Sequence, residues 1–269
     1  MAYWRNKTIV ITGGSTGLGL RMAQQAARRQ ANVVLVARDV PRLEAAVASL
    51  TPGTAGRVLS LAADLTRQAD VERAFAQLNA EFPRGFDALV NCAGMSSRRA
   101  VLDTTPEDFQ SSWELNFLAT VRCTRAAMPQ LLAARGHVVN IGSLASKAAS
   151  AFLGAYPATK FAVAAYSQQL RLELANQGLH VLLVCPGPIA RDDAGYRYEA
   201  LSVPEQARKP GGGVRLRGID PDWLAERILA ACERRTLELV VPGRARWLFA
   251  VSQISPGWGD WLIRRMTSA

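Results

Sequence analysis

Short apolar runs alternate with longer helix-like segments along most of this chain, and few architectures accept that alternation. The runs are Thr8–Ile11, Asn32–Ala37, Val58–Ala62, Ala88–Asn91, His137–Ile141, His180–Val184 and Leu237–Val241. Between them lie Gly17–Arg29, Pro41–Leu50, Gln68–Glu81, Pro106–Arg135, Tyr156–Gln177 and Pro221–Glu233. Several runs are rich in Val, Ile and Leu without polar alternation, as strands covered on both faces must be. The order predicts an α/β fold with a doubly wound parallel sheet of seven strands in a single domain. Punctuation agrees: Thr105-Pro106-Glu107 and Asp220-Pro221 read as helix starts, and Pro83 and Gly85 as a break before a strand.

A chain of 269 residues is long enough to bury one large core. No apolar run approaches the roughly 20 residues of a membrane span, and the N-terminus lacks an apolar leader. The four cysteines (Cys92, Cys123, Cys185, Cys232) are far apart, with no C-x-x-C pair, so the reading is a reducing, cytoplasmic setting with no disulfide and no metal site. The net charge of +10 comes from dispersed, mostly Arg residues. No groove motif accompanies them, which argues against nucleic acid and leaves a solvated basic surface, an anionic cofactor or an anionic membrane surface.

The first turn, "TGGSTGLG" from Thr12 to Gly19, has two readings. Gly13-x-Ser15-x-Gly17 fits the nucleophile elbow of serine hydrolases. The longer spacing Thr12-Gly13-x-x-x-Gly17-x-Gly19 fits a loop around a dinucleotide pyrophosphate, with Ser15, Thr16 and Leu18 between the glycines. A hydrolase needs a histidine base. The two histidines, His137 and His180, each begin a predicted strand, at the edge opposite this turn. The cofactor reading therefore stands. At the end of the second strand, Ala37 occupies the place of a ribose-binding acid and Arg38 follows. A guanidinium suits a 2′-phosphate, which predicts NADP(H) over NAD(H).

Further motifs fall at strand ends or helix starts. "NCAG" supplies Asn91, Ala93 and Gly94, and "HVVNIGS" presents Ser143. Tyr156 and Lys160 are four apart at the start of a helix and share a face, so an ammonium there favours phenolate. That makes tyrosine a serviceable general acid and base.

In this order on this pattern, the motifs resemble those of the short-chain dehydrogenases/reductases, over residues 7 to about 241. The resemblance implies a Rossmann-like fold and NADP(H)-linked exchange between a ketone and a secondary alcohol. It implies a cofactor loop from Gly13 to Gly19, and Asp64 and Leu65 beside the adenine. Asn91, Ala93 and Gly94 would support the sheet and the cofactor ribose. It assigns Ser143 to the substrate carbonyl and Tyr156 to the proton. Lys160 would hold the nicotinamide ribose and lower the Tyr156 pKa, and Asn116, inside a long helix, would hold a water leading to Lys160. Pro186, Gly187 and Ile189 would flank the nicotinamide. Where the family usually has Thr to bond the carboxamide, this chain has Arg191. A non-catalytic NADP-binding sensor or scaffold is the alternative, but such a chain would be free to lose Ser143, Tyr156 or Lys160.

The substrate side reads as small and apolar (Leu144, Ala145, Phe152, Leu153, Pro188, Ile189), with Arg191 as its one charged anchor, so a lipophilic carbonyl, steroid-like or a long-chain 3-oxo lipid, is expected. Residues 1–243 read as the catalytic domain, with a substrate loop at about 188–217, and 244–269 as an amphipathic tail. In the tail, Trp258, Trp261, Leu262 and Met266 share a helical face flanked by Arg264 and Arg265, suited to covering the pocket, to a partner subunit or to peripheral membrane contact. Small residues on the helices of 106–135 and 156–177 resemble those that pair subunits in this family, which implies a homodimer or homotetramer.

Overall fold

A computed structural model describes residues 3–50, 56–83, 85–190, 203, 205–208 and 217–267. Seven parallel strands form one sheet: β1 (Thr8–Thr12), β2 (Asn32–Ala37), β3 (Val58–Ala62), β4 (Ala88–Asn91), β5 (His137–Ile141), β6 (His180–Pro186) and β7 (Glu238–Val241). Their spatial order is β3-β2-β1-β4-β5-β6-β7. The direction of winding reverses between β1 and β4, where Thr12 pairs with Asn91. Ligands of such sheets bind in the crevice outside the strand ends at this switch point.

Successive residues of a strand face opposite ways, and here both faces are apolar. Ile9 and Ile11 pack with Met22 of α1 (Gly17–Arg28) and Ile228 of α8 (Pro221–Glu233) on one side of the sheet. Val10, between them, packs on the other with Phe75 of α3 (Gln68–Glu81) and Leu131 of α5 (Ala119–Ala133). That double covering explains the unbroken apolar runs. The remaining helices are α2 (Val40–Leu50), α4 (Pro106–Trp113), α6 (Tyr156–Leu174), α7 (Glu205–Arg208), α9 (Ala245–Ile254) and α10 (Pro256–Thr267).

Two sequence expectations need correction. The single helix expected over 106–135 is two, α4 and α5, joined by a π turn at Glu114–Leu118. The Asn116 side chain in that turn bonds sideways to another loop, and a one-residue bulge is how a helix turns such a side chain outward. β6 runs on to Pro186 because Cys185 and Pro186 pair with Val240 and Val241 of β7. The tail is a helical hairpin broken at Ser255, whose backbone is extended before Pro256 starts α10. Ala245 and Phe249 of α9 are buried in a cluster with Val163, Leu183 and Val240. Gly259 of α10 lies so close to Ser252 that a Cβ would sit 2.5 Å from its Oγ.

The histidines occupy the amino-terminal edge of the sheet, as expected, paired across β5 and β6. The chain Tyr3 Oη to His137 Nε2 (2.6 Å), His137 Nδ1 to His180 Nδ1 (2.8 Å) and His180 Nε2 to the Thr236 carbonyl (2.9 Å) fixes both rings. Since Nε2–H of His180 donates to the carbonyl, its Nδ1 accepts from His137, whose Nε2 accepts the Tyr3 hydroxyl. Burial, then the neighbouring His180, pushes His137 down to about 3, so it is neutral at pH 7. Neither ring is placed to serve Ser15.

Candidate active site

At the switch point a cleft of about 1270 Å³ opens over the carboxyl ends of β1, β4, β5 and β6. That exceeds the usual volume of a single small-ligand site, and a dinucleotide and a substrate would share it. Its floor is the first turn. Thr12 Oγ1 accepts from the backbone N–H of Cys92 (3.1 Å) and Ala93 (3.3 Å), tying β1 to the loop after β4. Gly19 is packed against that turn, where a Cβ would meet the Gly13 carbonyl oxygen at 2.3 Å. Gly17 has φ +53 and only open space where its Cβ would be. The Thr16 side chain makes no capping bond, so the first N–H groups of α1 face the cleft without a side-chain acceptor. An open backbone cradle at a helix N-terminus is what a pyrophosphate requires. Ser15, Thr16 and Leu18 line it as well.

Ser143, Tyr156 and Lys160 meet in the same cleft. Ser143 caps the short turn Leu144–Ser146, and its Oγ accepts from the Ala145 N–H at 3.1 Å, which leaves its O–H to donate toward a ligand. Tyr156 begins α6, its N–H donating to the Leu153 carbonyl at 3.2 Å. One turn on, Lys160 is buried, and its Nζ donates to the Ile141 carbonyl at 2.8 Å and lies 5.8 Å from the centre of the Tyr156 ring. Burial lowers Lys160 to about 8, so it is still an ammonium at neutral pH. A hydroxyl donor, a phenol and a buried cation at one strand edge can polarise a carbonyl and pass it a proton.

The other predicted residues fall into two groups. Ala93, Gly94, Pro186, Gly187 and Ile189 line the cleft. Asn91 does not; its Nδ2 donates to Thr124 Oγ1 (3.0 Å) and Asn140 Oδ1 (2.9 Å) inside the sheet. Asn116 clamps the Met95 backbone, accepting from its N–H (2.8 Å) and donating to its carbonyl (2.9 Å), and a Cβ on Gly94 would lie 3.0 Å from its Oδ1. Leu65 is buried in the core. Asp64 is held below the usual carboxylate range, first by the Thr66 hydroxyl and further by the nearby Arg38 charge. Arg38 is exposed past the end of β2, outside the main cleft, whereas Arg21 and Arg42 line it. Arg191 and most of the 188–217 loop lie outside the described residues.

Sequence reasoning missed four contributors. Arg21 and Arg42 sit on α1 and α2, where surface arginines carry no motif. Arg98, 7 % exposed, and Arg244 also line the cleft. The tail supplies Trp247, Leu248, Phe249, Ile263 and Met266 to the wall; its amphipathic pattern signalled an apolar face but not what it would cover. Among the described residues no cluster could hold a metal ion. Burial pushes the Cys92 thiol up to about 11 and those of Cys123 and Cys185 to about 12, so these thiols are unreactive at neutral pH.

The family model for short chain dehydrogenases matches residues 7–199. The chain belongs to that family. A short-chain dehydrogenase is an oxidoreductase, and its seven-stranded sheet is the family's Rossmann-like fold. Among curated relatives of this dehydrogenase, ketoacyl reductase HetN of Nostoc is 28% identical over 96% of this chain and 88% of its own length. Dehydrogenase/reductase SDR family member 7B of Bos taurus is 31% identical over 89% of this chain and 74% of its own. Among solved structures, L-sorbose reductase of Gluconobacter frateurii, complexed with NADPH and L-sorbose, is 29% identical with a TM-score of 0.78, over 88% of this chain and 95% of that one.

Proposed function

We propose that this dehydrogenase uses NADP(H) to interconvert a ketone and a secondary alcohol on a lipophilic, steroid-like or long-chain 3-oxo substrate, with Tyr156 as acid and base. The observation that carries the proposal is the convergence of Ser143, Tyr156 and a buried Lys160 on the cleft that holds the glycine turn. A bound cofactor supplies or accepts the hydride at the carbonyl carbon. The chain does the rest. The turn from Gly13 to Gly19 binds the pyrophosphate, Arg38 the 2′-phosphate, and Asp64 with Leu65 flanks the adenine. Gly94, Pro186, Gly187 and Ile189 border the nicotinamide end, and Asn91 supports it through the sheet. Ser143 donates a hydrogen bond to the substrate oxygen while Tyr156 gives that oxygen its proton, or takes it in the reverse direction. Lys160 keeps a positive charge beside the phenol. Asn116 holds the Met95 loop and the solvent path toward Lys160.

The NADP(H) preference rests on Arg38, with NADPH in the related L-sorbose reductase as support. Arg38→Asp should lower the ratio of kcat/KM for NADPH over NADH by about tenfold or more, the value of one charged contact. Steady-state kinetics with both cofactors checks this, and an unchanged ratio would remove Arg38 from the 2′-phosphate site.

Residues 1–243 are read as the catalytic body and 244–269 as a pocket-covering tail. Within the tail, Trp258 (73 % exposed) and Trp261 (58 %) lie outside the cleft lining beside Arg264 and Arg265, which supports peripheral contact with an anionic membrane. No described helix is long and apolar enough to cross a bilayer. Full-length protein should co-sediment with phosphatidylglycerol vesicles more than a variant with Trp258 and Trp261 changed to Ser; equal soluble fractions would reject the contact. A homodimer or homotetramer through α4–α6 is supported by exposed Trp113, Phe161 and Leu172.

A further inference from the structure

A second cleft, of about 490 Å³, lies between α8 and β7 and shares only Pro242 with the active-site cleft. It is large enough for one small ligand. The helix gives it a single stripe: Trp223, Arg227, Ala230 and Arg234 recur at helical spacing and line one face of α8. The Trp223 N–H donates to the Asp220 cap at 2.8 Å, which fixes the start of that stripe. Opposite it stand Glu238, Leu239, Val240 and Val241 of β7, with Arg246 of α9. The sheet ends at β7, so among the described residues no further strand covers the outer edge. Arg246 Nη2 donates to the Glu238 carbonyl at 3.0 Å, which holds this guanidinium beside the strand.

The cleft is cationic. Arg227, Arg234 and Arg246 line it against one carboxylate, Glu238, and that carboxylate already pairs with Lys147 at 2.8 Å. The other acids of α8, Asp222, Glu226 and Glu233, do not line it, and Asp222 pairs with Arg21. Among the described residues none of the three guanidiniums lies within ion-pair distance of an acid. A cation at a helix C-terminus suits the dipole, which accounts for Arg234 alone. It does not account for Arg227 in mid-helix, or for Arg246 of another helix bordering the same space. Gathered like charges repel, and a bound anion would offset that cost. Trp223, 47 % exposed, adds a flat apolar surface, and the Arg227 guanidinium lies 5.7 Å from the centre of its ring. An indole supports a stacked planar ring, and guanidiniums beside it suit phosphate oxygens.

We propose that the cleft between α8 and β7 is a second ligand site, for an organic phosphate that carries a planar ring, of the nucleoside monophosphate class. The ring stacks on Trp223 and the phosphate lies among Arg227, Arg234 and Arg246. No residue assigned above to catalysis or cofactor binding lines this cleft except through the shared border at Pro242, so the site is independent of the oxidoreductase reading. It is also separate from the α4–α6 helices assigned above to subunit pairing.

The test is isothermal titration of the full chain in saturating NADP⁺, which fills the active-site cleft. The probes are adenosine monophosphate, adenosine and inorganic phosphate. The wild type should bind the monophosphate at least about tenfold tighter than either fragment, the lower end for a charged hydrogen bond. The double variant Arg227→Gln, Arg234→Gln should lose that margin and keep adenosine binding within a few fold. Trp223→Ser should weaken the monophosphate and adenosine about fivefold or more, the lower end for a base stacked on an aromatic ring, and leave phosphate nearly unchanged. All three side chains are exposed, so the variants should fold, and thermal melts check this. Monophosphate no tighter than inorganic phosphate would overturn the proposal and mark a merely basic surface. Monophosphate binding untouched by the double variant would overturn it as well, placing the ligand elsewhere. So would a double variant that changes only the sedimenting mass, which assigns the face to a second copy of the chain. A failed oxidoreductase reading would appear separately, as NADPH that is never consumed while the monophosphate still binds.

Discussion

Tyr156→Phe should lower kcat by about three orders of magnitude while leaving the Kd for NADP(H) within a few fold. The variant deletes one oxygen and keeps the ring, so the N-terminus of α6 and its bond to Leu153 survive. What disappears is the hydroxyl of a ring that lies beside a buried ammonium. Proton transfer by a positioned side chain contributes between about 10² and 10⁴ in rate. The Ser143 hydroxyl is no substitute, since its oxygen accepts from Ala145 and an aliphatic hydroxyl is a far weaker acid than a phenol. Single-turnover kinetics with a fluorescence titration of cofactor binding separates the two effects. Full turnover in the variant would remove Tyr156 from the chemistry. Loss of cofactor binding to match the loss of rate would make the phenol a binding group instead.

Lys160→Met should reduce kcat/KM at least about a hundredfold and yet stabilise the cofactor-free fold. The sign follows from burial. Lys160 is lowered from 10.5 to about 8 because its ammonium is desolvated. The folded state therefore holds this proton less tightly than the unfolded state does. At pH 7 that difference costs about 3 kcal/mol, and the cost fades as pH rises through the interval between the two values. Methionine has similar length and no charge to bury, but it leaves the Ile141 carbonyl without its donor, a loss of about 1–3 kcal/mol. The expected net is a gain on the order of 1 kcal/mol, or a melting temperature higher by about 2–4 °C. The advantage of the variant should shrink above pH 8 and reverse toward pH 10.5, where only the lost hydrogen bond to Ile141 remains. Thermal melts across that range check it. A destabilised variant with intact activity would mean that Lys160 is a structural residue.

Much of this was legible in the sequence, and the limits have physical causes. Strands buried on both faces write themselves as apolar runs, so β1 and β2 matched closely and the sheet class followed. Gly13 and Gly19 were legible because close backbone approach leaves no room for a side chain, and Gly17 because its φ of +53 favours glycine. The histidines were excluded as bases by their place at the start of strands. The π turn at Asn116 left no trace, since its residues keep helical propensity and the bulge is set by a partner loop twenty residues earlier. Asn91 read as a support of both the sheet and the cofactor ribose, and its amide bonds inside the sheet to Thr124 and Asn140; those partners depend on register with Asn140, which one strand alone does not reveal. Arg98 was invisible for a similar reason. It stands between Ser97 and Arg99 as one of several basic residues, and only the fold shows it buried in the wall of the cleft.

The most direct test of the central claim uses NADPH deuterated at the transferable position of the nicotinamide, with ketones graded by chain length and charge. Mass spectrometry and NMR of the product should place one deuterium on the carbinol carbon, with the hydroxyl proton drawn from water. NADPH that binds but is neither consumed nor depleted of deuterium across the whole panel would contradict the account and make the protein a cofactor-binding scaffold.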